Sequence, residues 1–232
     1  MSQTNGESLK YSTVTAEDVK NNPVVKVFIE SANGYLGALG YTEHGMRHVT
    51  LIASTAERIL QSLDYSPRLA ELAKIAAYLH DIGNVINRHA HGQSAALMAM
   101  RILKDMNFTP EEIALVISAI GNHEEEVGEP VSPVAAALIL ADKSDVHKTR
   151  VRNLANVDLS DIHDRVNFSA ERSFLQVLKD QKLISLRLTI DTKISKVTDY
   201  FEIFLSRMII SRHAAEYLGC NFELIINERK LL

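Results

Sequence analysis

Apolar residues recur at helical spacing through most of the first 150 positions of this chain. Val24, Val25, Val27, Phe28, Ala32 and Leu36 follow Pro23 at intervals that put one apolar face on a helix ending near Gly37 or Gly40. A shorter helix precedes it, opened by Thr15-Ala-Glu-Asp18, in which a capping threonine is followed three residues later by an acid. Similar faces recur over 45–63, 66–82, 91–106, 110–121 and 132–146. The spacing predicts an all-helical bundle with short polar connections. Residues 1 to about 12 are small and polar, and are expected to fray.

The period changes after Val151. Arg165–Ala170 alternates apolar and polar residues, Ile184–Asp191 does so more cleanly, and both are predicted as half-buried strands. Lys179-Asp-Gln-Lys182 has turn chemistry and predicts a hairpin between Phe174–Leu178 and the second run. A long apolar stripe over 194–218 follows, through Val197, Tyr200, Phe201, Phe204, Met208 and Ala215, with Gly219 as its terminal glycine. Cys220–Asn227 is again strand-like. The fold class expected is mainly α, a helical bundle over residues 1–155 followed by a small C-terminal α+β module over 156–232. The long stripe is expected to pack over the strands or to form a homodimer interface.

Composition narrows the function classes. Lys plus Arg number 25 against 29 for Asp plus Glu, a net charge of −4, so no overall basic field favours a large nucleic-acid surface. The single cysteine, Cys220, excludes an internal disulfide and a paired-cysteine zinc site. The polar start lacks the apolar stretch of a secretory leader, and no window is apolar for long enough to span a membrane. A cytoplasmic protein with no membrane partner is expected.

The histidines change the picture further. Six of nine, at 44, 48, 80, 89, 91 and 123, fall within 80 residues, where even placement would give roughly three. Imidazole is the commonest transition-metal ligand, and carboxylates join it around hard dications. His44 and His48 stand one helical turn apart on one face. His80-Asp81 ends an apolar helix, and Gly83 lets the chain turn away, which places both side chains at the helix terminus and outside the core. Asp142 lies in the apolar run Leu138–Asp145. A buried charge there needs a cation or hydrogen bonds to offset its desolvation.

His48, His80-Asp81, His91, His123 and Asp142, on successive helices, resemble the HD-domain metal-dependent phosphohydrolase superfamily over about residues 40–150. The resemblance implies that His48, His80, Asp81 and Asp142 hold one divalent transition metal (Fe, Mn, Zn, Ni or Co). It further implies that Asp81 is shared with a second metal on His91 and His123. The nearest flavour is HD-GYP-like, carried by His80-Asp-Ile-Gly83 and His91-Gly-Gln-Ser-Ala95, without an intact GYP motif. Asn84 stands where that group has a phosphate-facing lysine, and Asn122-His123-Glu124 replaces a paired His-His-Glu. His44 falls where trinuclear members have an extra acidic ligand, so it is a candidate for a third metal or for support of a ligand. His89 competes with His91, or meets phosphate.

The activity implied is hydrolysis of a nucleotide or another small phosphate ester by a metal-activated water, with Asp81 as the catalytic carboxylate. Asn84, Arg88, Lys143 and Lys148 are the substrate-binding candidates by proximity, with Asn87 and Arg150 beside them. Glu124-Glu-Glu126 reads as a solvated loop or as a recruiter of metal. Two other classes share the ligands: a di-iron oxygenase, which would consume oxygen, and a signalling scaffold, which would survive Asp81→Ala.

Overall fold

The computed structural model describes residues 12–153, 157, 159 and 161–231. Most of the polar start therefore lies outside the described residues. Seven helices come first: α1 (Ala16–Asn21), α2 (Pro23–Ala38), α3 (Met46–Ser62), α4 (Pro67–Leu79), α5 (His91–Asp105), α6 (Pro110–Gly121) and α7 (Pro133–Lys143). Their starts are written in the sequence. Proline opens α2, α4, α6 and α7, where its fixed φ suits the first turn and its missing N–H costs nothing. Thr15 with Asp18 and Thr109 with Glu112 each close a reciprocal cap.

Helices α4 and α7 are buried nearly all round. From Ala70 to Leu79 and from Val134 to Ala141 most side chains are out of contact with water, and both helices are rich in alanine. Small side chains let the neighbouring helices approach closely and leave the core filled by Ile52, Ile59, Leu72, Ile75, Leu103 and Ile120.

After α7 the chain forms α8 (Ile162–Ser169), β1 (Ala170–Leu178), β2 (Leu183–Ile190), α9 (Val197–Tyr217), β3 (Asn221–Ile226) and β4 (Arg229–Lys230). The sheet runs β1-β2-β3-β4. Strands β1 and β2 form the expected antiparallel hairpin, closed by a short 3-10 turn and by Lys182 in the left-handed region. Strand β3 lies parallel to β2, from Leu183 opposite Asn221 to Leu188 opposite Ile226, so α9 is the crossover of a βαβ unit. Gly219, at φ +74°, ends α9 as its spacing suggests.

One expectation fails here. Arg165–Ala170 is not a strand as a whole: residues 165–169 belong to α8, and β1 begins only at Ala170. Asp161 caps the helix by accepting from the amides of His163 and Asp164, and Ile162, Val166 and Ala170 turn inward at four-residue spacing. Alternation over six residues fits either period, and the cap decides.

Helix α9 packs on α7 as well as on β3, and one apolar cluster runs from the bundle into β2 and β3. A charged clamp fastens α9 to the loop after α6. Arg207 Nε lies 2.9 Å and Lys143 Nζ 3.2 Å from Glu125 Oε1. Burial opposes ionisation of Glu125, but Lys143 and Arg207 outweigh it and hold the carboxyl at about 2. Among the described residues no helix is long and apolar enough to cross a membrane.

The turn after α4 is equally constrained. A Cβ on Gly83 would lie 2.1 Å from the carbonyl oxygen of His91 and 2.5 Å from the amide nitrogen of Ala95. Only glycine lets this turn rest directly on the first turn of α5, which Ala90 enters from the left-handed region at φ +53°.

Gly83→Ala forces backbone apart and should cost about 1–3 kcal/mol in urea denaturation; an unchanged midpoint would show that the contact gives way freely. The Glu125 clamp contributes stability that is complete above the ordinary carboxyl value of 4.5 and is lost as pH falls through about 2. Glu125→Gln should therefore be less stable by about 1–3 kcal/mol at neutral pH, with the gap closing in acid denaturation curves.

Candidate metal centre

Five helices deliver the donor groups to one point. His48 sits in the first turn of α3, His80 and Asp81 follow α4, His91 opens α5, His123 follows α6 and Asp142 ends α7. All six are buried. His80 and Asp81 are 0% and 5% exposed, which corrects the expectation that the helix end would keep them outside the core: α3, α5 and α7 cover that end.

Each histidine has its Nδ1 hydrogen engaged. Nδ1 of His48 donates to Asp145 Oδ2 at 2.7 Å, that of His80 to the Ala77 carbonyl at 2.7 Å and that of His123 to the Ile120 carbonyl at 2.6 Å. Nδ1 of His91 donates to the Arg88 carbonyl at 3.1 Å. These acceptors cannot donate, so the proton stays on Nδ1 and the Nε2 lone pair is left facing inward.

Those lone pairs surround two carboxylates. His48 and His80 place Nε2 at 3.4 and 3.6 Å from Asp142 Oδ1, and at 3.7 and 3.4 Å from Asp81 Oδ2. The other oxygen of Asp81 faces His91 Nε2 at 3.3 Å, which in turn lies 3.1 Å from His123 Nε2. Two trios, His48–His80–Asp142 and His80–Asp81–His123, have donor atoms within 4.8 Å of one another.

The electrostatics suit a cation. Burial opposes ionisation of Asp81, but His80 and His91 hold its carboxyl well below the usual range. Burial likewise opposes ionisation of Asp142, and Lys143 at 2.7 Å, with His48 and His80, overrides it. Burial and the nearby positive groups push His123 down to about 3, so it stays neutral and able to ligate. His80 is depressed by burial but raised overall by Asp81 and Asp142. His48 Nε2, His80 Nε2 and Asp81 Oδ2 are buried without any hydrogen-bond partner. Buried polar atoms are rarely left so, and a shared cation satisfies all three at once.

The remaining candidates separate. His44 gives its Nδ1 hydrogen to the Thr42 carbonyl, has Nε2 2.8 Å from Arg150 Nη2, and belongs to neither trio of donor atoms. His89 is exposed and lines a shallow acidic hollow with Glu124 and Glu126. Asn84 donates to Asp81 Oδ1 at 3.0 Å and so steadies that carboxylate. Arg88 and Lys143 line the centre. Lys148 is exposed and stands outside that lining, where Arg150 and Arg207 are found instead.

Sequence reasoning missed Asp145 and Arg207, and it placed Glu125 in a solvated or metal-recruiting loop, whereas the carboxylate pairs with Lys143 and Arg207. Asp145, 2% exposed, aims His48 and also pairs with Arg47 at 2.9 Å. Its place three residues after Asp142 was the available signal, since that spacing shares a helix face. Nothing in the 194–218 stripe marks Arg207.

Comparison with known proteins agrees with this geometry. The uncharacterized protein MJ1020 of Methanocaldococcus jannaschii is 29% identical over 178 residues, 67% of this chain and 68% of that protein. Ribonuclease Y of Lawsonia intracellularis is 32% identical over 105 residues, 45% of this chain but only 18% of that protein. The HD domain family matches residues 45–146, which hold all six donors. Such domains bind divalent metals and belong to the metal-dependent phosphohydrolase superfamily, and the buried histidines and aspartates fit a metal site. Residues 45–146 of this chain are an HD domain.

Proposed function

We propose that this chain is a metal-dependent phosphohydrolase that opens a phosphate ester bond in a nucleotide or another small phosphate ester, using a pair of divalent transition metals. The observation that carries this reading is the convergence of four Nε2 lone pairs on two ionised, buried carboxylates, with three of the buried donor atoms unpartnered. His48, His80 and Asp142 would hold one dication, and His91 and His123 the other. Asp81 stands between them with one oxygen toward each group. Bound there, the pair supplies a water acidified to near neutral and positive charge for the phosphoryl oxygens.

The chain's own residues do the rest. Asp81 accepts a hydrogen bond from the attacking water and fixes its direction, and Asn84 keeps that carboxylate in place. Lys143, at the lining, offsets charge that develops on the equatorial oxygens. The partial match to a ribonuclease, by its name an enzyme of phosphodiesters, supports ester chemistry of this kind.

Metal analysis of protein purified without added metal, followed by a screen of phosphate esters and cyclic nucleotides with Mn²⁺, tests the reading. Two metals per chain and release of phosphate or a monophosphate are expected. Asp81→Ala and Asp142→Ala should lose bound metal and turnover together, with native circular dichroism; retention of both by Asp81→Ala would remove the assignment. Asp145→Asn keeps every ligand but loses the acceptor that aims His48. Its metal affinity should fall about 10–100-fold in competition with a chelating dye.

A further inference from the structure

We infer that Arg88, Arg150 and Arg207 form an anion cradle beside the metal centre, and that the substrate is a nucleoside or sugar diphosphate whose second phosphate the cradle holds. This rests on the phosphate-ester reading above and extends it to substrate class.

A cavity of about 270 Å³ adjoins the centre. The three arginines and His44 line both the cavity and the space among the ligands, so these side chains form the wall between the two. The arginines come from three parts of the chain: the segment before α5, the short 3-10 turn at 148–150, and the middle of α9. Two are set against aromatic faces, Arg88 at 5.6 Å from the Tyr41 ring centre and Arg207 at 4.5 Å from that of Phe204. Stacking holds a guanidinium plane while leaving its edge free to donate.

Their donors are under-used. Among the described residues Arg88 has no carboxylate partner; it donates weakly to Asn84 at 3.4 Å and to His91 Nε2 at 3.2 Å. Arg150 is 2% exposed, and its Nε has no hydrogen-bond partner, the nearest carboxylate oxygen, Asp145 Oδ2, standing 3.8 Å away. Its other nitrogens reach the Asp145 carbonyl and His44. Arg150 lines the cavity, and a guanidinium there can donate to an acceptor. Arg207 already bonds Glu125 through Nε and lines the same space.

One phosphate at the metal centre does not need these three groups, because the dications and Lys143 already meet its charge. A second phosphate on the same substrate does. The far wall constrains the rest of the substrate. Asp161 and Asn167 line it, a setting that suits the hydroxyl or amino donors of a sugar or base.

Isothermal titration of the metal-loaded full chain with ADP and with AMP, each ligand shown by chromatography to be intact after the run, tests the cradle. ADP should bind at least about tenfold more tightly than AMP. Arg207→Gln and Arg88→Gln should each remove most of that preference, and Arg207→Lys should keep part of it. Equal affinities, no measurable binding of ADP, or full preference in both natively folded glutamine variants would overturn the cradle. If the preference is present and arginine-dependent while the Mn²⁺-loaded chain turns over no ester, the hydrolase reading fails and the cradle stands. Turnover of esters without any diphosphate preference removes the cradle and leaves the hydrolase reading in place.

Discussion

Asp81 and Asp142 are ionised carboxylates held inside the protein, and compensation of their charge organises everything around them. Unpaired carboxylates in such a place would cost several kcal/mol each. The chain answers with Lys143 at 2.7 Å from Asp142 and surrounds the pair with four imidazoles whose lone pairs, with the carboxylates, would complete the shell of a cation. Those imidazoles are aimed by acceptors behind them, three backbone carbonyls and Asp145. The helices exist where they do because each must end, or begin, at this point.

Packing supports the same geometry from outside. Gly83 allows the turn carrying Asp81 to lie against the start of α5 with no side chain between them, which sets His91 beside Asp81. The alanines of α4 and α7 let those helices close on each other, and their ends carry His80 and Asp142. The C-terminal βαβ unit adds a wall. Helix α9, pinned by β2 and β3 at either end and by the Glu125 clamp in its middle, brings Arg207 to the edge of the space.

Much of this was legible in the sequence because the signals are local. Proline and threonine caps announced the helix starts, and period-two alternation announced β2 over eight residues. Histidine crowding and an aspartate in an apolar run named the donors, since few other roles place those residues there. Where signals were short or nonlocal the reading failed. Six residues around Val166 fit a strand or a helix equally well, and Asp161 decided for a helix. Lys148 looked close to the site by number, yet it is Arg150, two residues on in the same short turn, that faces inward. Arg207 lies 65 positions beyond Asp142, and only the crossover of α9 makes them neighbours. That His80 and Asp81 are buried depends on three other helices arriving over them, which no local pattern reports.

The donors are drawn from five separate helices, and this ties occupancy of the centre to the integrity of the whole bundle. Ions bound by these donors would crosslink elements that the unfolded chain leaves far apart. By mass action one such ion adds about 2.7 kcal/mol to stability at a hundredfold excess over its dissociation constant. A thermal midpoint that rises with metal supply would be the signature of such a crosslink.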